Sequence, residues 1–187
     1  FGGFERFEVG GLGAADDQAQ KLSRPTNLAC DREGHLFVAD VGVFKILKFD
    51  RDGHCIGALG EMGRESGTFS RPKGIAIDRE QRLYVVDAAF SNVQLFNKEG
   101  NVLFAFGVSG KRPGDLDLPA QVIVDYDHIT YFQQYADPKF DIENLVIVAN
   151  QFGDKMINVY ALGKERGKHY PTDAELLEQL KERLKKA

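Results

Sequence analysis

The residues able to do chemistry are few and poorly grouped. His35, His54, His128 and His169 show none of the helical or short-loop spacings of a metal site. Asp50-Arg51-Asp52-Gly53 has the opening of a calcium loop, but without the spaced ligands or terminal Glu it reads as a hairpin turn. No Ser-His-Asp order, nucleophile elbow or Gly-rich phosphate loop is present. Cys30 and Cys55 belong to no Cys-x-x-Cys, and there is no haem-attachment motif. No catalytic, cofactor-binding or metal-ligating set is therefore expected. The conspicuous carboxylates are those that recur: Asp31, Asp78 and Asp125, then Asp40 and Asp87. Recurrence at fixed intervals points to turn capping and satisfied backbone N–H groups rather than catalysis.

Composition narrows the classes. The 187 residues are 43% hydrophobic and 28% charged with a net charge of −4, and 20 of them are glycine. That excludes disordered, collagenous and disulfide-scaffold chains and gives a nucleic acid no basic face. No apolar run approaches the roughly 20 residues of a membrane helix. The sequence opens at Phe1 with neither an initiator Met nor a signal-peptide pattern, which fits a processed chain or a piece of one.

The elements that must position these residues come from a repeat. Pro25, Pro72 and Pro119 stand 47 residues apart, as do Asp31, Asp78 and Asp125, and Gly13, Gly60 and Gly107. Ser23-Arg24-Pro25 recurs as Ser70-Arg71-Pro72, Asp40 as Asp87, Phe49 as Phe96 and Gly53 as Gly100. Each of the first two units holds four short apolar runs, such as Ile75–Ile77, Leu83–Asp87, Val93–Phe96 and Val102–Phe106 in the second. Between the runs lie turn tetrads such as Asp31–Gly34, Asp50–Gly53 and Asn97–Gly100. Four strands joined by tight turns predict an antiparallel meander, and a unit of this length predicts a β-propeller blade. Trp-Asp repeats need tryptophan and kelch blades usually carry one; this chain has none. Pro-x-Gly-Ile-Ala-Ile-Asp, Leu-Tyr-Val-Val-Asp, Val-Gln-Leu-Phe and then Gly, over 72–100, resembles the NHL repeat, and the resemblance extends over about residues 4–162.

The expected architecture is all-β: NHL-like four-stranded blades over 23–60, 70–107 and 117–162, and a C-terminal α-helix. The third unit is irregular. Leu36 and Leu83 follow their prolines by 11 residues and Leu145 by 26, so about 15 residues are inserted, within a loop placed at 126–144. Its third strand is read as 156–160, with no fourth. Residues 1–13 align with the outer strand of a preceding or closing blade. Three blade equivalents predict an incomplete or composite ring of about six, completed by further blades or by a second copy. Cys30 takes the slot of Ile77 and Val124 and is expected to be a small buried hydrophobe. Cys55 lies on the outer strand, about 14 Å away across three strand spacings, beyond the reach of a disulfide.

Three groups of residues are candidates for function. Asn27, Gly74 and Gln121, two after each repeat proline, are expected to line the central channel. They are neutral where metal-dependent propeller lyases and hydrolases need carboxylates or imidazoles, which favours a non-catalytic reading. The insertion holds Tyr126, Tyr131, Phe132, Tyr135 and Phe140, the residue types that anchor protein interfaces. The tail, 163–187, is read as a linker and amphipathic helix with a capping box at 172–175 and a stripe of Leu177, Leu180 and Leu184. It holds seven basic and five acidic residues, net +2, against −6 for the remainder. The reading is an interaction platform that holds a protein partner; the alternative is a lyase or hydrolase with a channel metal. The loop followed by Val148 to Gly153 and Val159-Tyr160 resembles secreted NHL-type propellers that accompany bacterial multihaem cytochromes. That resemblance implies an extracytoplasmic location, periplasmic or secreted, and a multihaem cytochrome as partner.

Overall fold

The structure, a computed structural model, describes residues 22–154, 156–171 and 175. The lone N-terminal strand (1–13) and the stripe of Leu177, Leu180 and Leu184 lie outside these residues. Three antiparallel sheets follow one another. Blade 1 is β1 (Pro25–Cys30), β2 (Leu36–Asp40), β3 (Lys45–Phe49) and β4 (Cys55–Leu59); blade 2 is β5 (Pro72–Ile77), β6 (Leu83–Asp87), β7 (Asn92–Phe96) and β8 (Val102–Phe106). Blade 3 is β9 (Pro119–Asp125), β10 (Phe140–Asn150) and β11 (Ile157–Glu165), with no fourth strand among the described residues. The innermost strands β1, β5 and β9 lie side by side, so the sheets form an open arc of β-propeller blades.

The recurrent aspartates build the turns and the joints. In the β1–β2 turn Asp31 Oδ1 accepts from the N–H groups of Glu33 and His35, each at 2.9 Å. Asp50 and Asp78 do the same for later turns, and Asn97 Oδ1 accepts from the Asn101 N–H. The second series works at the opposite end of the blade. Asp40 is fully buried and takes the N–H groups of Ser23 at 2.6 Å, Arg24 at 2.9 Å and Gly42 at 2.8 Å. Asp87 repeats this with Ser70 at 2.7 Å, Arg71 at 3.1 Å and Ala89 at 2.9 Å. In blade 3 Asn150 Oδ1 accepts from Asp117 N–H at 3.2 Å while its amide donates to Asn158.

Alternation along the strands gives each blade two apolar faces. The forward face of blade 1 (Phe37, Ala39, Ile46) packs on the rear face of blade 2 (Ile75, Leu83, Val85, Phe96). The forward face of blade 2 (Ala76, Tyr84, Val86, Val93, Leu95) packs on Val122, Val146, Val148 and Tyr160 of blade 3. A fully buried wedge from the connection before each blade, Phe69 and then Leu116, closes each interface. Gly60 and Gly107 make room for it: both have φ near +85°, at +87° and +83°, and a Cβ there would strike the Phe69 ring or Leu116 Cδ1.

The structure departs from the sequence reading in three places. β10 starts at Phe140, so the last five residues of the loop placed at 126–144 are strand. β11 runs to Glu165 instead of ending at Tyr160, into the segment read as a linker. Polar residues disguise this ribbon, because Lys164 pairs with Glu143 at 2.7 Å and Arg166 with Asp141 across its two strands. Cys30, expected to be buried, is exposed. It faces rearward from blade 1, where no described blade supplies the cover that Ile77 and Val124 receive. Both cysteines are free, on the inner and outer strands.

Asp87→Ala strips the acceptor from a set of backbone N–H groups at the entry to blade 2. A loss of about 3 kcal/mol of unfolding free energy is expected. Urea denaturation checks it, and Asp87→Asn is expected to lose less, since an amide oxygen still accepts as Asn150 does.

Candidate functional site

The insertion between β9 and β10 is an ordered knob. A short helix α1 (Ile129–Phe132) runs into a 3-10 turn (Gln133–Tyr135). Gln133 pins it to the start of β10: its Nε2 donates to Phe140 O at 2.6 Å, and its Oε1 accepts from Ile142 N–H at 3.0 Å. At the other end Asp125 accepts from the His128 backbone N–H and meets the His128 ring Nδ1, both at 2.9 Å.

Three of the expected anchors come together. The Tyr131 ring centroid lies 5.1 Å from that of Phe132 and 5.9 Å from that of Tyr135, edge to face in both cases. Tyr131 is 58% exposed and Tyr135 69%. Phe132 and Phe140 are half-buried, Phe140 at the foot of the knob. Tyr126 is engaged elsewhere. Its hydroxyl accepts from Arg79 N–H at 3.0 Å and the Arg79 guanidinium lies 3.9 Å from its ring, so it clasps the β5–β6 turn of blade 2.

Of the residues expected to line a channel, Asn27 and Gly74 take part in joining blades. Asn27 Oδ1 accepts from Ile75 N–H of the next blade at 3.1 Å. Gly74 is buried and lines no open space: a Cβ there would come 2.5 Å from Gln121 Cα, so the close passage of β9 requires glycine. Gln121 is half-buried, with its Oε1 turned toward Gly74.

Sequence reading missed several polar partners. His35 and His54 approach the aspartates four positions earlier, with ring nitrogens 2.8 Å from Asp31 and 3.3 Å from Asp50. The recurring Asp-x-x-x-His was the available signal. Asp31, Glu33 and His35, and likewise Asp50, Asp52 and His54, could each converge on a cation. Their bonds are those of the turns themselves. Between blades 2 and 3 the buried Asp78 carboxylate pairs with Arg82 and accepts from Tyr84 Oη at 3.0 Å. Burial, aided by the Asp78 charge, pushes the Tyr84 phenol far above its ordinary value, so it serves as a donor.

No known family model matches this chain, and no curated protein is similar to it in sequence. Solved structures are similar in fold. Hydrazine synthase of Kuenenia stuttgartiensis is 15% identical with a TM-score of 0.46, over 80% of this chain and 38% of that one. Regucalcin, a calcium-binding protein of Agrobacterium tumefaciens, is 14% identical with a TM-score of 0.48, over 81% and 50%. Virginiamycin B lyase of Staphylococcus aureus is 11% identical with a TM-score of 0.42, over 74% and 41%. The chain thus spans between 38% and 50% of the length of these structures.

The Asp125 carboxylate, through its hydrogen bond and its charge, raises the His128 imidazole above its ordinary value, and His128 in turn lowers Asp125. The contribution of protonated His128 to holding the loop is therefore complete below the ordinary histidine value and is lost as pH rises through the raised one. An NMR titration should place His128 above about 6.5 in the native chain and bring it back to that range in Asp125→Asn. An unchanged titration would detach His128 from Asp125.

Proposed function

We propose that this chain is part of an NHL-type β-propeller that serves as a non-catalytic protein-interaction platform, with the aromatic knob as its contact surface. The observation that carries the reading is the triangle of Tyr131, Phe132 and Tyr135, held by Gln133 and presented to solvent. Exposed aromatic rings on an already ordered loop lose little entropy on binding, which is how interface anchors act. The partner in this reading is a protein, a multihaem cytochrome being the one implied by the resemblance of the loop and its following strands, and the setting is extracytoplasmic. A lyase or hydrolase reading would need metal ligands from outside the axial positions Asn27, Gly74 and Gln121.

Further blades are a second partner of the same assembly. Blade 2 buries Ala76, Tyr84, Val93 and Leu95 on its forward face; the same register in blade 3 is Ile123, Ile147, Ile157 and Val159. Ile123 is 49% exposed, Ile157 60% and Val159 39%. An apolar face in the register of a blade joint is read as a surface for another blade, from the same polypeptide or from a second copy.

Two experiments test these readings. A photo-cross-linking residue in place of Tyr131 should capture a defined partner in the source cell, and Phe132→Ala with Tyr135→Ala should abolish the adduct while shifting the thermal midpoint little. A large loss of stability would instead assign the rings to the protein's own core. Light scattering should show self-association of the chain that Ile123→Glu with Ile157→Glu suppresses; a monodisperse monomer before and after the change would dismiss the blade-docking face.

A further inference from the structure

The two blade joints share one register but are not filled alike. Between blades 2 and 3 the outer part of the joint is occupied by Tyr84, Leu95, Phe106 and Tyr160, with Phe106 and Tyr160 edge to face at 4.8 Å, leaving a gap of about 170 Å³. Between blades 1 and 2 the same region opens into a cleft of about 410 Å³. The cause lies on the outer strand. Gly57 and Leu59 stand in β4 where β8 has Phe104 and Phe106, each pairing opposite the same position of the third strand. Lys48 also stands where blade 2 has Leu95 and blade 3 has Val159. A cleft of this size is in the range of small-molecule sites.

Its lining combines an apolar slot with charged side chains, the lysines Lys48 and Lys98 and the acids Asp31, Glu33 and Glu99. Phe37, Ile46 and Leu59 come from blade 1, and Ile77 and Leu83 from blade 2. The Lys48 ammonium lies 5.1 Å from the Phe37 ring centroid and 3.9 Å from Asp31 Oδ2, beyond hydrogen-bond distance. Asp31 is already engaged by two backbone N–H groups and the His35 ring. The acids at the rim have neighbours of their own: Glu99 lies 3.7 Å from Lys98, and Glu33 3.7 Å from His35 Nδ1. Lys48, its side chain 31% exposed, thus reaches the slot with donors that the 3.9 Å approach to Asp31 leaves available to an acceptor.

We propose that the cleft between blades 1 and 2 binds a small amphipathic anion, its apolar body against Phe37, Leu59, Ile77 and Leu83 and its acidic group on the Lys48 ammonium. The site lies apart from the aromatic knob and stands or falls separately from it.

Anilinonaphthalene sulfonate, an aromatic body with one anionic group, is the probe, titrated by fluorescence into the full chain. A Cβ at Gly57 would meet only Lys48 Cβ, at 3.8 Å, so Gly57→Phe can place a ring over the slot at the position that Phe104 holds in β8. It is expected to weaken the saturable component by roughly tenfold or more. Lys48→Leu copies Leu95 and should keep the fold, as circular dichroism will report; it is expected to weaken binding by roughly fivefold and to remove its salt dependence. Lys48→Arg should retain both. If Gly57→Phe does not fold, the two Lys48 variants decide. Titrations of Lys48→Leu that match the native chain overturn the anion assignment, and so does equal or tighter binding of dansylcadaverine, an aromatic cation. Binding unchanged in a folded Gly57→Phe overturns the site.

Discussion

A buried carboxylate collecting backbone N–H groups is the interaction on which the arc depends. The N–H groups of Ser23 and Arg24, or of Ser70 and Arg71, lie just before an innermost strand and have no ladder partner at that point. Left unpaired in the interior they would each cost on the order of 1–3 kcal/mol. Asp40 and Asp87, at the ends of the second strands, meet them and also take the N–H of the turn that follows. One side chain therefore sets where the chain enters a blade, where its second strand stops and how the first two strands register. In blade 3 the residue to be met is Asp117, not serine. A carboxylate beside it would set two negative charges together, whereas Asn150 accepts the same N–H and still donates to Asn158.

With the backbone held in this way, side chains between blades can vary. Phe69 and Leu116 plug successive joints over Gly60 and Gly107. Gln94 and Asn158 hold the connections before their blades, Gln94 through Gly67 and Thr68 and Asn158 through Asp115. Farther out, one joint is filled by aromatic rings and the other is open beside Lys48. Regularity is concentrated near the axis, where the backbone is bonded from blade to blade, and individuality lies toward the rim.

That gradient explains what the sequence discloses. Proline, aspartate and glycine recur because the joints and turns demand those residue types, so blades 1 and 2 are legible strand by strand. The candidate anchors were legible as a cluster of aromatics, but Tyr126 could not be separated from Tyr131 and Tyr135 without knowing that Arg79 comes round to meet it. Gln133, which holds the knob, has no spacing that marks it. The extra length of β10 and β11 was hidden because their ends are paired through ions, and alternation of charge is not a hydrophobic pattern. Cys30 was misread because equivalence to Ile77 predicts burial only where a neighbour is present. The open slot was visible in principle as Gly57 and Leu59 against Phe104 and Phe106, yet its meaning needed the facing blade.

The insertion also alters the entropy of closing a blade. In blades 1 and 2 the bonds from Asp40 and Asp87 close segments of 16 and 17 residues, whereas the bond from Asn150 to Asp117 spans 33. Doubling a flexible segment adds about 0.6 kcal/mol to the cost of bringing its ends together. Blade 3 offsets this by ordering the inserted chain on itself, through α1, the Gln133 bonds and the long ribbon of β10 and β11. The same knob that displays the tyrosines thus shortens the effective length of its own loop, and any change that loosens it lengthens the reach over which the last blade must close.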